Sequence, residues 1–111
     1  MAAALLEKER RKQTAAAGYL LRALHADPGS PQSPATVQAL GDLYSRRGRH
    51  ERLERTLWRL VAMLPDQGSG REAYARAWTL LADLYAGPLR RPRQAEAIRR
   101  VAERLARDLK P

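Results

Sequence analysis

The side chains that most often carry out catalysis are few in this sequence and form no known motif. The two histidines, His25 and His50, are far apart, and each lies near a predicted helix end, where a charged imidazole or simple exposure explains it. Ser69 lies in a Gly-Ser-Gly segment without the strand and lysine of a phosphate-binding loop. No HExxH pattern, glycine-rich phosphate loop or nucleophile elbow occurs. We therefore expect no enzymatic activity, no cofactor and no metal site.

Arginine dominates the charged residues: 21 Lys and Arg against 12 Asp and Glu give a formal net charge of +9. Two predicted helix faces carry arginines at three- and four-residue spacing: Arg52, Arg55 and Arg59, and Arg100, Arg104 and Arg107. Glutamates at similar spacing supply opposite charges, which favours a solvated face. Nucleic-acid binding through these Arg-rich faces is the alternative, although aromatic residues for base stacking are nearly absent from them.

The composition predicts helices, since the apolar residues are mostly Leu and Ala, with one Ile, three Val and no Phe. A chain of 111 residues is expected to form one all-α domain. No apolar run approaches the roughly 20 residues of a membrane span, and Glu7 interrupts the apolar start, so we expect no membrane insertion and no secretory signal. The absence of cysteine fits a reducing compartment, and a cytoplasmic location is expected.

Proline and glycine divide the chain into about five predicted helices. The expected helices run from about 2 to 26, 34 to 47, 50 to 64, 72 to 86 and 93 to 109. A loop over 29–34 and a linker over 66–70 separate them into three groups.

Two stretches share a repeated spacing of apolar, small and aromatic residues. The first comprises Val37, Leu40-Gly41, Tyr44, Gly48, Leu53, Leu57 and Pro65, and the second opens with Trp78, Leu81-Ala82 and Tyr85. This spacing resembles the tetratricopeptide repeat (TPR) family, although a generic helical bundle remains an alternative.

The resemblance implies antiparallel helix-turn-helix repeats stacked as a short right-handed solenoid. The whole chain, 1–111, would be a single TPR-like domain with a partial repeat at 1–28, the clearest repeat at 34–67 and a degenerate repeat at 71–111. Within the clearest repeat, the small Gly41 is expected to let the paired helices approach closely.

In such repeats the first helices line a concave groove, which nominates a set of partner-binding residues. These are Gln38, Asp42 and Arg46 on one first helix and Arg76, Thr79 and Asp83 on the next. Asp42 and Asp83 occupy equivalent positions and are expected to bind a polar or basic peptide, unless they are merely solvated. The cationic clamp that some family members use for a peptide carboxylate is not matched, because Leu80 takes a position that should be cationic.

Trp58 follows the core residue Leu57 and should point away from its helix pair. Either it packs against the linker or the first helix of the third unit, or it anchors an interface. We include it among the candidate partner-binding residues.

The last helix carries an apolar stripe that we expect to be wider than one preceding helix can bury. It comprises Ile98, Val101, Ala102, Leu105 and Leu109. Self-association, a partner subunit or a longer parent protein would explain such a stripe. The sequence therefore predicts a non-enzymatic adaptor or assembly chaperone that binds a protein or peptide, with a nucleic-acid binder or a purely structural homo-oligomer as alternatives.

Overall fold

The computed structural model describes residues 2–109, and within that range the chain is all-helical without strands. Met1, Lys110 and Pro111, which the predicted units include, lie outside the described residues. The α-helices are α1 (Ala2–Ala26), α2 (Ser33–Arg46), α3 (His50–Met63), α4 (Arg71–Ala86) and α5 (Pro92–Leu109), with a short 3-10 turn at Gly68–Gly70 before α4. The predicted all-α fold with about five helices is confirmed.

Gly48 ends α2 because it adopts a left-handed backbone conformation, with φ of 66°. The Gly48 N–H donates to the Ser45 carbonyl at 3.0 Å, and the Arg49 N–H donates to the Tyr44 carbonyl at 3.1 Å. These two hydrogen bonds satisfy carbonyls that the end of a helix leaves open, in the pattern of a Schellman motif. The chain then reverses into α3.

Pro65 ends α3 by a different route. The residue before a proline is disfavoured in helical conformation, and Leu64 accordingly adopts an extended backbone with φ of −71° and ψ of 142°. Leu64 nevertheless stays buried, with 4 % of its surface exposed, so the helix end is anchored in the core.

One hydrophobic cluster joins all five helices. Each helix packs against the next one in sequence, and α4 additionally packs against α2, so that α4 contacts α2, α3 and α5. The central position of α4 explains its many small buried residues, since alanines let three neighbours approach. The largest side chains that are almost completely buried are Leu24, Val37, Leu40, Leu57, Leu60 and Leu81.

The first half of α1 projects beyond the other helices. At about 1.5 Å per residue, the 25 residues of α1 make it much longer than α2, which has 14. Residues 3–12 are exposed, including Leu5 and Leu6 at 66 % each, whereas Ala17 and Leu24 in the second half are buried. The second half of α1 therefore supplies its core contacts, mainly with α2.

The apolar stripe of α5 is largely covered, so the expectation that α4 could not bury it is mostly wrong. Ile98, Ala102 and Leu105 are buried, and Leu109 is the stripe residue that stays 39 % exposed. The reason is that α4 and α5 pack along most of their lengths. None of the helices between residues 2 and 109 is long and apolar enough to cross a membrane.

Candidate functional site

The exposed sides of α2 and α4 lie next to each other and form the candidate site, which we call the α2–α4 face. Asp42, Arg76, Thr79 and Asp83 are exposed there, and Gln38 is half-buried. The structure therefore brings together five of the seven residues predicted from the sequence.

Two shallow depressions shape this face. The smaller, of about 130 Å³, is lined by Asp42 and Asp83 together with Gly41 and Leu80. The larger, of about 450 Å³, is lined by Gln38, Arg76, Thr79 and Asp83, again with Leu80. Asp83 and Leu80 thus belong to both depressions, and Leu80 supplies an apolar surface between the charged groups.

A relay of hydrogen bonds across the α2–α4 face ties the two helices together. Arg76 Nη1 donates to Gln38 Oε1 at 3.1 Å, and Gln38 Nε2 donates to Asp42 Oδ1 at 3.0 Å. The Gln38 carboxamide therefore links a cation on α4 to a carboxylate on α2. Because both ends of Gln38 are engaged, Arg76 and Asp42 are oriented before any partner binds.

The remaining polar groups of the face keep free hydrogen-bonding capacity. Thr79 donates its hydroxyl proton to the Ala75 carbonyl at 3.1 Å, which leaves its oxygen as an acceptor. Among residues 2–109, Asp83 and Glu72 form no ion pair and accept no side-chain hydrogen bond. Both carboxylates can therefore accept hydrogen bonds from a ligand.

The face is locally acidic although the protein is strongly basic. Asp42, Glu72 and Asp83 line the depressions, and Arg76 is the one basic residue among the lining residues. Although the protein has a formal net charge of +9, acidic side chains outnumber basic ones among the residues that line the two depressions. A cationic group would be favoured here and an anionic group disfavoured.

Gly41 permits the close approach of α2 and α4. A Cβ atom built on Gly41 would lie 3.1 Å from Leu80 Cδ1, and its three nearest atoms all belong to Leu80. The closest contact at Gly41 is therefore with α4, in the following unit, rather than with the paired helix α3. Leu80 makes this contact. In the sequence, Leu80 is notable only because it occupies a position that is cationic in a carboxylate clamp.

Arg46 and Trp58, the other two predicted residues, do not line the depressions of the α2–α4 face. Arg46 is exposed in the last turn of α2 and lines neither depression. Trp58 packs against α4: its ring centroid lies 5.5 Å from that of Trp78 and 6.4 Å from that of Tyr85, in edge-to-face geometry. The alternative of packing against the first helix of the third unit therefore accounts for most of this side chain, of which 38 % stays exposed.

A polar network extends from Trp58 to the α4–α5 connection. Trp58 Nε1 donates to the Tyr85 hydroxyl at 3.0 Å, and the Tyr85 hydroxyl donates to Glu54 Oε2. Arg91 Nη1 lies 3.5 Å from the same Glu54 oxygen, and the Arg91 guanidinium lies 5.8 Å from the Tyr85 ring centroid. Burial, followed by the hydrogen bond to Glu54, raises the pKa of Tyr85 above its usual value. The network joins α3 to α4 and to the α4–α5 connection, so we assign it a structural role.

Sequence reasoning missed Glu72 and Leu80 as members of the face. Glu72 could have been found, because positions 72, 76, 79 and 83 follow the alternating four- and three-residue spacing of one helix side. Leu80 belongs to the face because it reaches across to Gly41, a contact between units that no local pattern shows.

Within residues 2–109 no group of three or more His, Asp or Glu side chains is placed to hold a metal ion. Comparison of the sequence with protein-family models, with curated proteins and with solved structures found no match.

Proposed function

We propose that this chain is a non-enzymatic protein-binding module, a TPR-like adaptor or assembly chaperone, that holds a basic segment of a partner protein on its α2–α4 face. The observation that carries the proposal is the cluster of exposed carboxylates, Asp42, Glu72 and Asp83, around depressions on a protein of net charge +9. A basic ligand is attracted to this acidic face and repelled by the basic remainder of the surface. The charge distribution therefore directs such a ligand to the α2–α4 face.

The chemistry of the face suits an extended peptide with Lys or Arg side chains. Asp42 and Asp83 line the same depression and can accept hydrogen bonds from one cationic side chain or from two. Leu80 offers an apolar contact for the stem of a Lys or Arg side chain. Arg76, Gln38 and Asp42 are already held in place by their hydrogen bonds. Binding of a peptide therefore costs little further side-chain entropy at these residues.

The packing order of the helices supports the TPR-like part of the proposal. The helix α4 packs against both helices of the preceding pair, α2 and α3, as the first helix of a following repeat would. The second half of α1 packs against α2, as the second helix of a preceding partial repeat would. The right-handed solenoid and the cytoplasmic location stay predictions, and cell fractionation tests the second of these.

Affinity purification from the source cell with three baits tests the proposed surface. The baits are the native chain, a variant with Asp42→Lys and Asp83→Lys, and a control with Glu7→Lys and Glu103→Lys. The control makes the same change in net charge at exposed positions that line neither depression. Each bait is used on extract with and without nuclease treatment, and retained proteins are identified by mass spectrometry.

The proposal expects one protein to be retained by the native chain and by the control variant but not by the Asp42, Asp83 variant. Equal recovery by all three baits would place binding elsewhere on the chain. Recovery of the bait alone, with a dimer in light scattering, would favour a homo-oligomer. A partner lost only after nuclease treatment would favour nucleic-acid binding through the Arg-rich faces.

A further inference from the structure

A second surface, separate from the α2–α4 face, lies where α1 passes the turn between α2 and α3. A pocket of about 200 Å³ opens there. Its apolar lining includes Ala17 and Leu21 of α1 and Leu43 and Tyr44 of α2. An apolar cavity of about 150 Å³ is large enough to hold benzene, so this pocket can accept one large apolar side chain.

Residue 18, which lines the pocket on the α1 side, is a glycine. A Cβ atom built on Gly18 would have a single neighbour within 4 Å, the Arg22 guanidinium at 3.5 Å. The glycine has ordinary helical φ, since it is not among the residues with positive φ. Backbone geometry therefore does not require glycine here, and its absent side chain leaves space in the pocket.

Three arginines lie around this apolar lining without counter-charges. Arg47 and Arg49 are half-buried and Arg52 is exposed, and all three line the pocket. In the part of the chain that the structure describes, none of them forms an ion pair, and no acidic residue lines the pocket. Their guanidinium groups are free to form two-pronged hydrogen bonds with carboxylates.

A fourth polar group is also without a partner. Gln13, at one end of the pocket, has a buried carboxamide oxygen that accepts no hydrogen bond from the described residues. A buried acceptor of this kind is costly while no donor reaches it, so this end of α1 is not fully satisfied within the described residues. Arg10 lies one helical turn before Gln13 on α1 and extends the basic surface along the projecting half of the helix.

We propose that this pocket binds an acidic peptide segment of a partner protein, with one large apolar side chain in the pocket and flanking carboxylates on Arg47, Arg49 and Arg52. Nucleic acid fits less well, because the pocket walls are mainly aliphatic and the one aromatic ring, that of Tyr44, belongs to a side chain only 9 % exposed. A second copy of this chain also fits less well. Its exposed leucines, Leu5 and Leu6, adjoin a segment in which Lys8, Arg10, Arg11 and Lys12 outnumber the acidic residues.

Fluorescence anisotropy with defined probes tests this surface. The probes are labelled peptides Gly-Asp-Glu-Asp-X-Asp-Glu-Asp-Gly, in which X is Leu, Phe or Trp, or Ser as a control, and a labelled oligothymidine of similar charge. We expect at least one apolar X peptide to bind about tenfold more tightly than the Ser peptide, because burying a large apolar side chain is favourable.

Two pairs of variants locate the binding. Gly18→Leu fills the pocket and should weaken binding of the apolar peptide about tenfold or more, whereas Gly18→Ala gains similar helix propensity and should bind like the native chain. The double variant Arg47→Glu, Arg52→Glu should abolish binding. Its control, Arg104→Glu with Arg107→Glu, makes the same charge change on exposed residues of α5 outside the pocket and should retain most of the affinity. Circular dichroism confirms that each variant is folded.

Several results would overturn the proposal. The first is that the Ser peptide and the apolar peptides bind with the same affinity. The second is that the two arginine double variants lose the same amount of affinity. The third is that Gly18→Leu binds the apolar peptide as tightly as the native chain. Tighter binding of oligothymidine than of any peptide, lost in the Arg47, Arg52 variant, would assign the surface to nucleic acid instead. Failure of every peptide to bind at about 1 mM protein, the weak end of specific affinities, would exclude the site.

Discussion

Replacement of Tyr85 by Phe should destabilise the protein although it removes only one oxygen atom. The hydroxyl of Tyr85 accepts a hydrogen bond from Trp58 Nε1 and donates one to Glu54, and Tyr85 is 6 % exposed. In the Phe variant both partners lose a hydrogen bond at a largely buried position. The packing of the ring itself is unchanged.

The size of the effect follows from the two hydrogen bonds and from what can replace them. A neutral hydrogen bond contributes about 1 kcal/mol and one to a charged group about 1.5–3 kcal/mol. The Trp58 side chain is 38 % exposed and the Glu54 side chain 20 % exposed, so water can partly replace the lost hydroxyl. Arg91 also stays 3.5 Å from Glu54. We therefore expect a loss of about 2 kcal/mol in the free energy of unfolding, or roughly 8 °C in Tm.

Thermal unfolding of Tyr85→Phe, monitored by circular dichroism at neutral pH, measures this loss. Tyr19→Phe is the matched control, since Tyr19 is 68 % exposed and its hydroxyl forms no hydrogen bond within residues 2–109. Its Tm should be unchanged within about 1 °C. Equal Tm values for Tyr85→Phe and the native chain would show that the network contributes nothing to stability.

The pH dependence of the free energy of unfolding provides a second test of the same network. The pKa of Tyr85 is raised in the folded protein, chiefly by burial and then by Glu54. Its contribution to stability is therefore fully present below the usual tyrosine pKa of about 10 and is lost as the pH rises through the raised value. The native chain should lose stability above about pH 10 more steeply than Tyr85→Phe.

The remaining predictions concern helix ends and the core. Gly48→Ala should cost about 1–2 kcal/mol because an alanine at φ of 66° is strained, and urea unfolding measures it. Leu24→Ala should cost about 3 kcal/mol, since Leu24 is 1 % exposed, whereas Leu6→Ala at 66 % exposure should change stability by less than about 0.5 kcal/mol. Equal costs for these two leucines would contradict the assignment of the core to the second half of α1.

The helices could be predicted from sequence because local residues determine their ends. Pro28, Gly48 and Pro65 each interrupt a helical pattern, and the observed ends lie within one residue of the expected ones at Arg46 and Met63. The buried positions of the clearest repeat, such as Leu40 and Leu57, followed from helical periodicity in the same way.

Contacts between units could not be predicted, because periodicity shows which side of a helix is apolar but not what covers it. The hydrogen bond from Trp58 to Tyr85 and the contact of Gly41 with Leu80 both join residues of different units. Within the third unit, the burial of Ile98 also depends on how closely α4 and α5 approach, which the sequence does not show either. Sequence reasoning therefore placed five candidate residues on one face, but it left Trp58 open between packing against the linker or the third unit and anchoring an interface.

The pocket beside α1 depends on an arrangement that the sequence does not show. In the sequence, Gly18 is a weak helix former within a long helix, and nothing in its spacing relates it to Arg47 or Arg49. Only the position of α1 beside that turn places Gly18, Arg47 and Arg52 around one pocket.

The central claim is that the carboxylates of the α2–α4 face bind a protein partner. Isothermal titration calorimetry with the purified partner recovered by affinity purification tests it most directly, using the native chain, the Asp42→Lys, Asp83→Lys variant and the Glu7→Lys, Glu103→Lys control. We predict that Kd rises at least about tenfold for the Asp42, Asp83 variant and changes less than about twofold for the control. The same Kd for the native chain and the Asp42, Asp83 variant would contradict the account.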